Sequence, residues 1–116
     1  MKVMALLLMF IAPMVLTACG NKEEDGVSIV GDWEYVSYIE TNLEFPQTGV
    51  WTFSSNGTLS LIVNGQPANV GSYSLNGDKL TWDFGNGQVT NTILTLTEHE
   101  LSISAGDRDR IYKLKR

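Results

Sequence analysis

From residue 31 onward, apolar and polar side chains alternate in short runs, and no stretch carries the 3.6-residue period of an amphipathic helix. The runs are rich in Thr, Val, Ile, Leu and aromatics, and Asn-Gly pairs at 56–57, 64–65, 76–77 and 86–87 punctuate them at intervals of eight, twelve and ten residues. Asn and Gly are the residues that tolerate the positive φ of tight hairpins. With further turns at Glu98-His99 and Gly106-Asp107, the pattern predicts strands over residues 32–40, 48–54, 58–63, 69–75, 79–84, 88–96, 100–105 and 109–115. Short connections favour pairing between sequence neighbours. Eight such strands can close on themselves and leave no exposed edge. The predicted fold is therefore all-β, a small eight-stranded antiparallel up-and-down barrel, with a two-sheet sandwich as the alternative.

Because side chains alternate faces along a strand, the apolar parity of each strand predicts the barrel interior. Where the first strand starts, the inward set is Trp33, Phe53, Leu59, Leu75, Leu80, Leu96, Leu101 and Leu114, which fills that end. A middle layer holds Tyr35, Trp51, Leu61, Tyr73, Trp82, Leu94, Ile103 and Tyr112. At the far end the same parity gives Ser37, Ile39, Gly49, Val63, Asn69, Gly71, Phe84, Thr90, Thr92, Ala105 and Arg110, which are smaller and more polar. An eight-stranded barrel is just wide enough to be filled by side chains or to hold one small ligand. Bulky residues at one end and small ones at the other predict a shallow cup.

The candidate ligand-binding residues are accordingly Tyr35, Ser37, Trp51, Tyr73, Trp82, Phe84, Thr90, Thr92 and Arg110. Strand direction places loops 41–47, 64–68, 85–87 and 106–108 around the cup, with Leu43, Glu44, Phe45, Pro67 and Arg108 as its rim. Arg110 is placed to meet a ligand carboxylate or, more simply, a neighbouring surface acid.

Ahead of the barrel, Met1 and Lys2 precede an apolar run from Val3 to Leu16 interrupted by Pro13, too short for a membrane-spanning helix. Its end, Leu16-Thr17-Ala18-Cys19, resembles the bacterial lipobox. That resemblance implies that residues 1–18 are a lipoprotein signal peptide and that Cys19 carries diacylglycerol and an N-terminal acyl group such as palmitate. At about 0.8 kcal/mol per buried CH₂, several acyl chains anchor a protein firmly where one would be marginal. Residues 19–30 then form an acidic tether, and residues 31–116 the domain. Lys22, Glu23, Glu24 and Asp25 are similar to the export signal of surface lipoproteins in Bacteroidota-type bacteria; otherwise they are a charged spacer. The expected location is the outer membrane, with the cup facing outward from the cell.

Composition narrows the function further. Thirteen acidic against eight basic residues give a net charge of −5, which makes nucleic acid an improbable partner. The single cysteine excludes an internal disulfide. His99 is the only histidine, and alternation splays it from Glu98 and Glu100, so no metal site is expected. No nucleophile elbow or phosphate loop is present. The sequence points to neither an enzyme nor a cofactor.

Several short motifs carry a family resemblance. Gly31-Asp32-Trp33 is similar to the lipocalin Gly-x-Trp signature, and the Trp51–Thr58 stretch, Leu96 to Leu101 and the closing Tyr112, Leu114 and Arg116 resemble small lipocalin-like lipoproteins of Bacteroidota-type bacteria. The resemblance implies that Arg116 covers Trp33, as the corresponding Arg does in lipocalins, with both residues structural. The chain is shorter than full lipocalins and lacks their C-terminal helix and disulfide. Two functions follow as expectations. In the first, a monomeric, membrane-anchored barrel holds a small apolar or amphiphilic ligand in its mouth; in the second, a filled barrel presents its rim to a surface protein or glycan.

Overall fold

A computed structural model describes residues 26–116. The leader, Cys19 and the residues from Lys22 to Asp25 lie outside them.

Nine strands follow one another: β1 (Gly31–Glu40), β2 (Leu43–Pro46), β3 (Gly49–Phe53), β4 (Thr58–Val63), β5 (Asn69–Asn76), β6 (Lys79–Asp83), β7 (Gln88–Leu96), β8 (Glu100–Ser104) and β9 (Ile111–Lys115). All neighbouring pairs are antiparallel, and β1 also pairs with β9. That last pairing closes an eight-stranded barrel and excludes the sandwich; β2 is an addition to it. Closure satisfies the backbone groups that an open sheet would leave at its edges.

The extra strand lies in a segment expected to be a loop. Thr41 and Asn42 both take positive φ (54° and 61°), a two-residue turn that folds Leu43–Pro46 back against the end of β1. The turn escaped the sequence reading because Thr rarely adopts this conformation and the Asn-Gly signature is missing. Gly49, at φ 135° and packed against the Ile62 backbone where a Cβ has no room, redirects the chain from β2 into β3. Of the four Asn-Gly pairs, only Asn64-Gly65 has positive φ at both residues; at the others the glycine alone does.

Two β-bulges set which side chains face inward. The first lies between Tyr35 and Ser37, where β1 shifts register against β9. One extra residue reverses the alternation downstream. Tyr38 therefore turns inward beside Tyr112, whereas Ser37 and Ile39, expected inside, face outward opposite Lys113 and Ile111. Ser37 donates a hydrogen bond to Glu44 Oε2 (2.6 Å) and lines an outer groove with Lys113 and Ser102.

The second bulge lies between Ile93 and Thr95 in β7. It makes Asn91 and Ile93 the buried residues, in place of the expected Thr90, Thr92 and Leu94. Thr90 shares a hydrogen bond with Thr81 on the outer surface (2.9 Å), and Thr92 accepts one there from Lys79 Nζ (3.1 Å). Asn91 is fully buried, and its side chain donates to Leu80 O (3.0 Å) and accepts from Gly106 N (3.0 Å). A buried amide is tolerated when it is bonded in this way.

The end where β1 begins is solid. Trp33, Phe53, Leu59, Leu80, Leu96, Leu101 and Leu114 are all buried. Residues expected to belong to the tether complete the seal, since Ile29 is only 3% exposed and Val27 packs against the core. Trp33 Nε1 donates to Ile29 O (2.8 Å). Arg116 lies over the Trp33 ring, 3.9 Å from its centroid. Its guanidinium donates to Glu98 O (2.8 Å), Val30 O (3.1 Å) and Ser28 O (2.9 Å). Those bonds tie the chain end, the β7–β8 turn and the entering segment into one cover.

Candidate functional site

Toward the other end, inward side chains grow sparser and the loops part. The result is a cup of about 380 Å³, bounded by Tyr35, Trp51, Leu61, Trp82, Tyr112 and Phe84 and by residues of the β6–β7 and β8–β9 loops. This volume lies at the small end of the range for small-molecule sites, about 300–1,000 Å³.

The floor is an aromatic cluster centred on Trp51. Its ring centroid lies 5.2 Å from Tyr35, 5.1 Å from Tyr112 and 5.8 Å from Trp82. Phe84 extends the wall from Trp82 (6.2 Å). It has room because Gly71 faces it; a Cβ there would come within 2.6 Å of the Phe84 ring. Cross-strand pairing puts Trp51 on β3 opposite Leu61 on β4, while β9 carries Tyr112. The floor is therefore built from rigid strands rather than loops.

Arg110 enters from the segment just before β9. It packs 4.0 Å over the Tyr38 ring, and its Nη2 reaches Glu40 at 3.4 Å. Charge-assisted bonds between guanidinium and carboxylate are normally about 2.7–2.9 Å, so this pair is loose. Arg110 Nε is buried and meets no acceptor among the described residues, and the same holds for Trp51 Nε1. An unpaired buried donor costs about 1–3 kcal/mol.

Burial pushes the Tyr35 hydroxyl up to about 12, with Tyr112 adding to the shift. Burial likewise raises Tyr112, against the opposing pull of Arg110. Both phenols are neutral at physiological pH. For Arg110, burial works against the charge, but Tyr112 and Glu40 outweigh it and raise its pKa. The cup thus combines Arg110, an Arg108–Asp107 pair at its edge, neutral phenols and apolar rings.

The structure brings Tyr35, Trp51, Trp82, Phe84 and Arg110 together around this cup, with Arg108 at its edge. Ser37, Thr90 and Thr92 do not join them, because the two bulges turn them outward. Tyr73 is displaced for a different reason. Barrel strands tilt by about 35–45°, and the tilt carries Tyr73 down to the closed end, where it meets Phe53 edge-on (5.1 Å) and donates to Ser54 O (2.8 Å).

Among the rim candidates, Phe45 stacks on Tyr38 (5.0 Å) and is 37% exposed, and Leu43 is 61% exposed beside it. Glu44 belongs to the outer groove instead. Pro67 is exposed in the β4–β5 loop and does not border the cup.

Sequence reasoning missed Tyr38, Val89 and Gln47, which border the cup. A signal for Tyr38 existed. Tyr35 and Tyr38 are three residues apart in one strand, so both face inward only if an extra residue intervenes.

The sequence profile of the lipocalin-like domain family matches residues 29–103. No curated protein and no solved structure shows a significant match to the chain.

Proposed function

The chain belongs to the lipocalin-like domain family, a fold that typically binds small ligands rather than catalysing reactions, and from this premise we propose that it is a lipid-anchored envelope protein holding a small apolar or amphiphilic ligand in its barrel mouth. The observation that carries this reading is the open aromatic cup of about 380 Å³ at one end of a barrel whose other end is solid. A filled barrel serving only as a platform for a protein or glycan needs dense packing through all its layers, and the third layer here is open.

Native mass spectrometry of the purified protein, after incubation with a whole-cell lipid extract, tests the binding reading. A retained small molecule that Trp82→Ala releases is the expected result. Binding to Trp82→Ala unchanged from the parent protein counts against it.

Anchoring rests on Leu16-Thr17-Ala18-Cys19, and outward export on the acidic stretch after it. Labelled palmitate should enter the parent protein in cells but not Cys19→Ser. Protease added to intact cells should digest it if the cup faces outward; full protection places it on the inner side.

A further inference from the structure

The balance of donors and acceptors in the cup narrows the ligand class, on the premise that the cup is the binding site. The acids near the mouth are engaged. Glu40 faces Arg110, Asp107 lies 3.5 Å from Arg108 Nε, and Asp109 accepts from Thr41 N (3.1 Å). The donors are not balanced in the same way, since Trp51 Nε1 and Arg110 Nε are buried without an acceptor. Trp51 itself is only 2% exposed. The site therefore has spare donors around a cation, whereas its nearby carboxylates are already engaged.

Arg116 shows what an arginine satisfied by the protein looks like. All three of its guanidinium nitrogens donate to backbone oxygens at 2.8–3.1 Å. Arg110 has a single carboxylate partner, at 3.4 Å. Its stacking on Tyr38 fixes the guanidinium plane, and a guanidinium held in this way matches the planar fork of a carboxylate.

Charge and size select further. Arg110 is half-compensated by Glu40 and Arg108 by Asp107, and this small positive excess suits a monoanion better than a dianionic phosphate, which would also meet Asp107. The flat walls of Trp51, Trp82, Tyr112 and Tyr35 suit a planar ring. The volume is too small for a lipid with two acyl chains.

We propose that the cup binds a compact aromatic monocarboxylate, its ring against Trp82 and Tyr112 and its carboxylate taken by Arg110 together with the Trp51 indole N–H. Binding completes both unpaired donors, and Glu40 holds Arg110 in place when the cup is empty.

The test uses the full chain carrying Cys19→Ser, so that no acyl chain competes for the cup. Calorimetry compares 2-naphthoate with 2-naphthalenemethanol, which has the same rings without the charge. The expected result is at least a tenfold tighter affinity for the acid, abolished by Arg110→Gln and reduced by Trp51→Phe, with affinity for the alcohol unchanged. Should Arg110→Gln melt early, Arg110→Lys keeps the charge but not the fork and should lose most of the preference.

Equal affinity for acid and alcohol overturns the carboxylate assignment and leaves the small-ligand reading standing. A preference for the acid that survives Arg110→Gln overturns the role given to Arg110. Absence of binding by both compounds overturns this inference and counts against the small-ligand reading as well.

Discussion

The two ends of the barrel each place an arginine over an aromatic ring, and the two pairs differ in what surrounds them. At the closed end Arg116 covers Trp33 and spends its guanidinium on three backbone oxygens. At the mouth Arg110 covers Tyr38 at nearly the same distance, 4.0 Å, but keeps a buried nitrogen unpaired above a cavity. The same side-chain chemistry serves as a seal in one place and, on the function proposed above, as a ligand-binding position in the other. What separates them is packing. Residues from Ile29, β1 and the β7–β8 turn converge on Trp33, whereas Trp51 borders a cavity of about 380 Å³.

The largest expected effect lies at the sealed end. Trp33→Ala removes a fully buried indole, and losses of about 3–5 kcal/mol are typical of such truncations. Trp82→Ala, on the wall of a space already open, should cost less than half as much in urea denaturation. Equal losses would mean that the mouth is packed as tightly as the base.

Asn91→Leu comes next. It strands the Leu80 carbonyl and the Gly106 amide that Asn91 now serves, at about 1–3 kcal/mol. Because Gly106 leads into the mouth loop of residues 106–108, the loss should be accompanied by faster amide exchange there. A stable variant with an unchanged loop would remove Asn91 from the account.

The two arginines offer a smaller and more direct contrast. Arg116→Ala should lower stability by about 1–2 kcal/mol, combining a cation-π contact worth about 0.5–2 kcal/mol with three lost hydrogen bonds at an exposed site. Arg110→Ala loses a cation-π contact of the same kind and one long ion pair, but it also removes an unpaired buried donor that costs about 1–3 kcal/mol, so its stability should change by less than about 1 kcal/mol. Reversal of that order would mean that Arg110 is the structural residue.

At neutral pH the smallest effect belongs to Tyr35→Phe, which removes a hydroxyl with no bonded partner among the described residues at the cup floor. Its consequence emerges only in alkali. The folded-state pKa of about 12 lies above the ordinary value of 10. Stability from the neutral phenol is therefore complete below pH 10 and is lost as pH rises from 10 to 12. Denaturation midpoints measured across that window should fall more steeply for the parent protein than for Tyr35→Phe; parallel slopes would show that Tyr35 ionises as freely in the folded state as in the unfolded one.

The same contrast marks what could be read in the sequence. The closed end was legible because Trp33, Phe53, Leu59, Leu80 and Leu114 lie in strands whose alternation is uninterrupted as far as those residues. The mouth was less so. Each bulge adds one residue and reverses the alternation from one side of it to the other, after it in β1 and before it in β7 as read from the base, so Ser37 and Thr90 look like cup residues while Tyr38 and Asn91 look external. Two apolar residues three apart, Tyr35 with Tyr38 and Ile93 with Leu96, were the trace that alternation fails there. Strand tilt left no comparable trace, and it moved Tyr73 out of the site. The β2 hairpin was hidden because Thr41-Asn42 makes its turn without glycine. A solid base and an open, arginine-bearing mouth were expected from residue size, but three of the small residues that carried that expectation, Ser37, Thr90 and Thr92, lie on the outer surface.

The division of labour between the ends can be followed through the three indole N–H resonances in a ¹⁵N–¹H spectrum during titration with 2-naphthoate or its alcohol. Trp51 and Trp82 border the cup and Trp33 lies sealed at the base, so the first two signals should move and the third should stay. Movement of the Trp33 signal while those of Trp51 and Trp82 stand still would contradict the account.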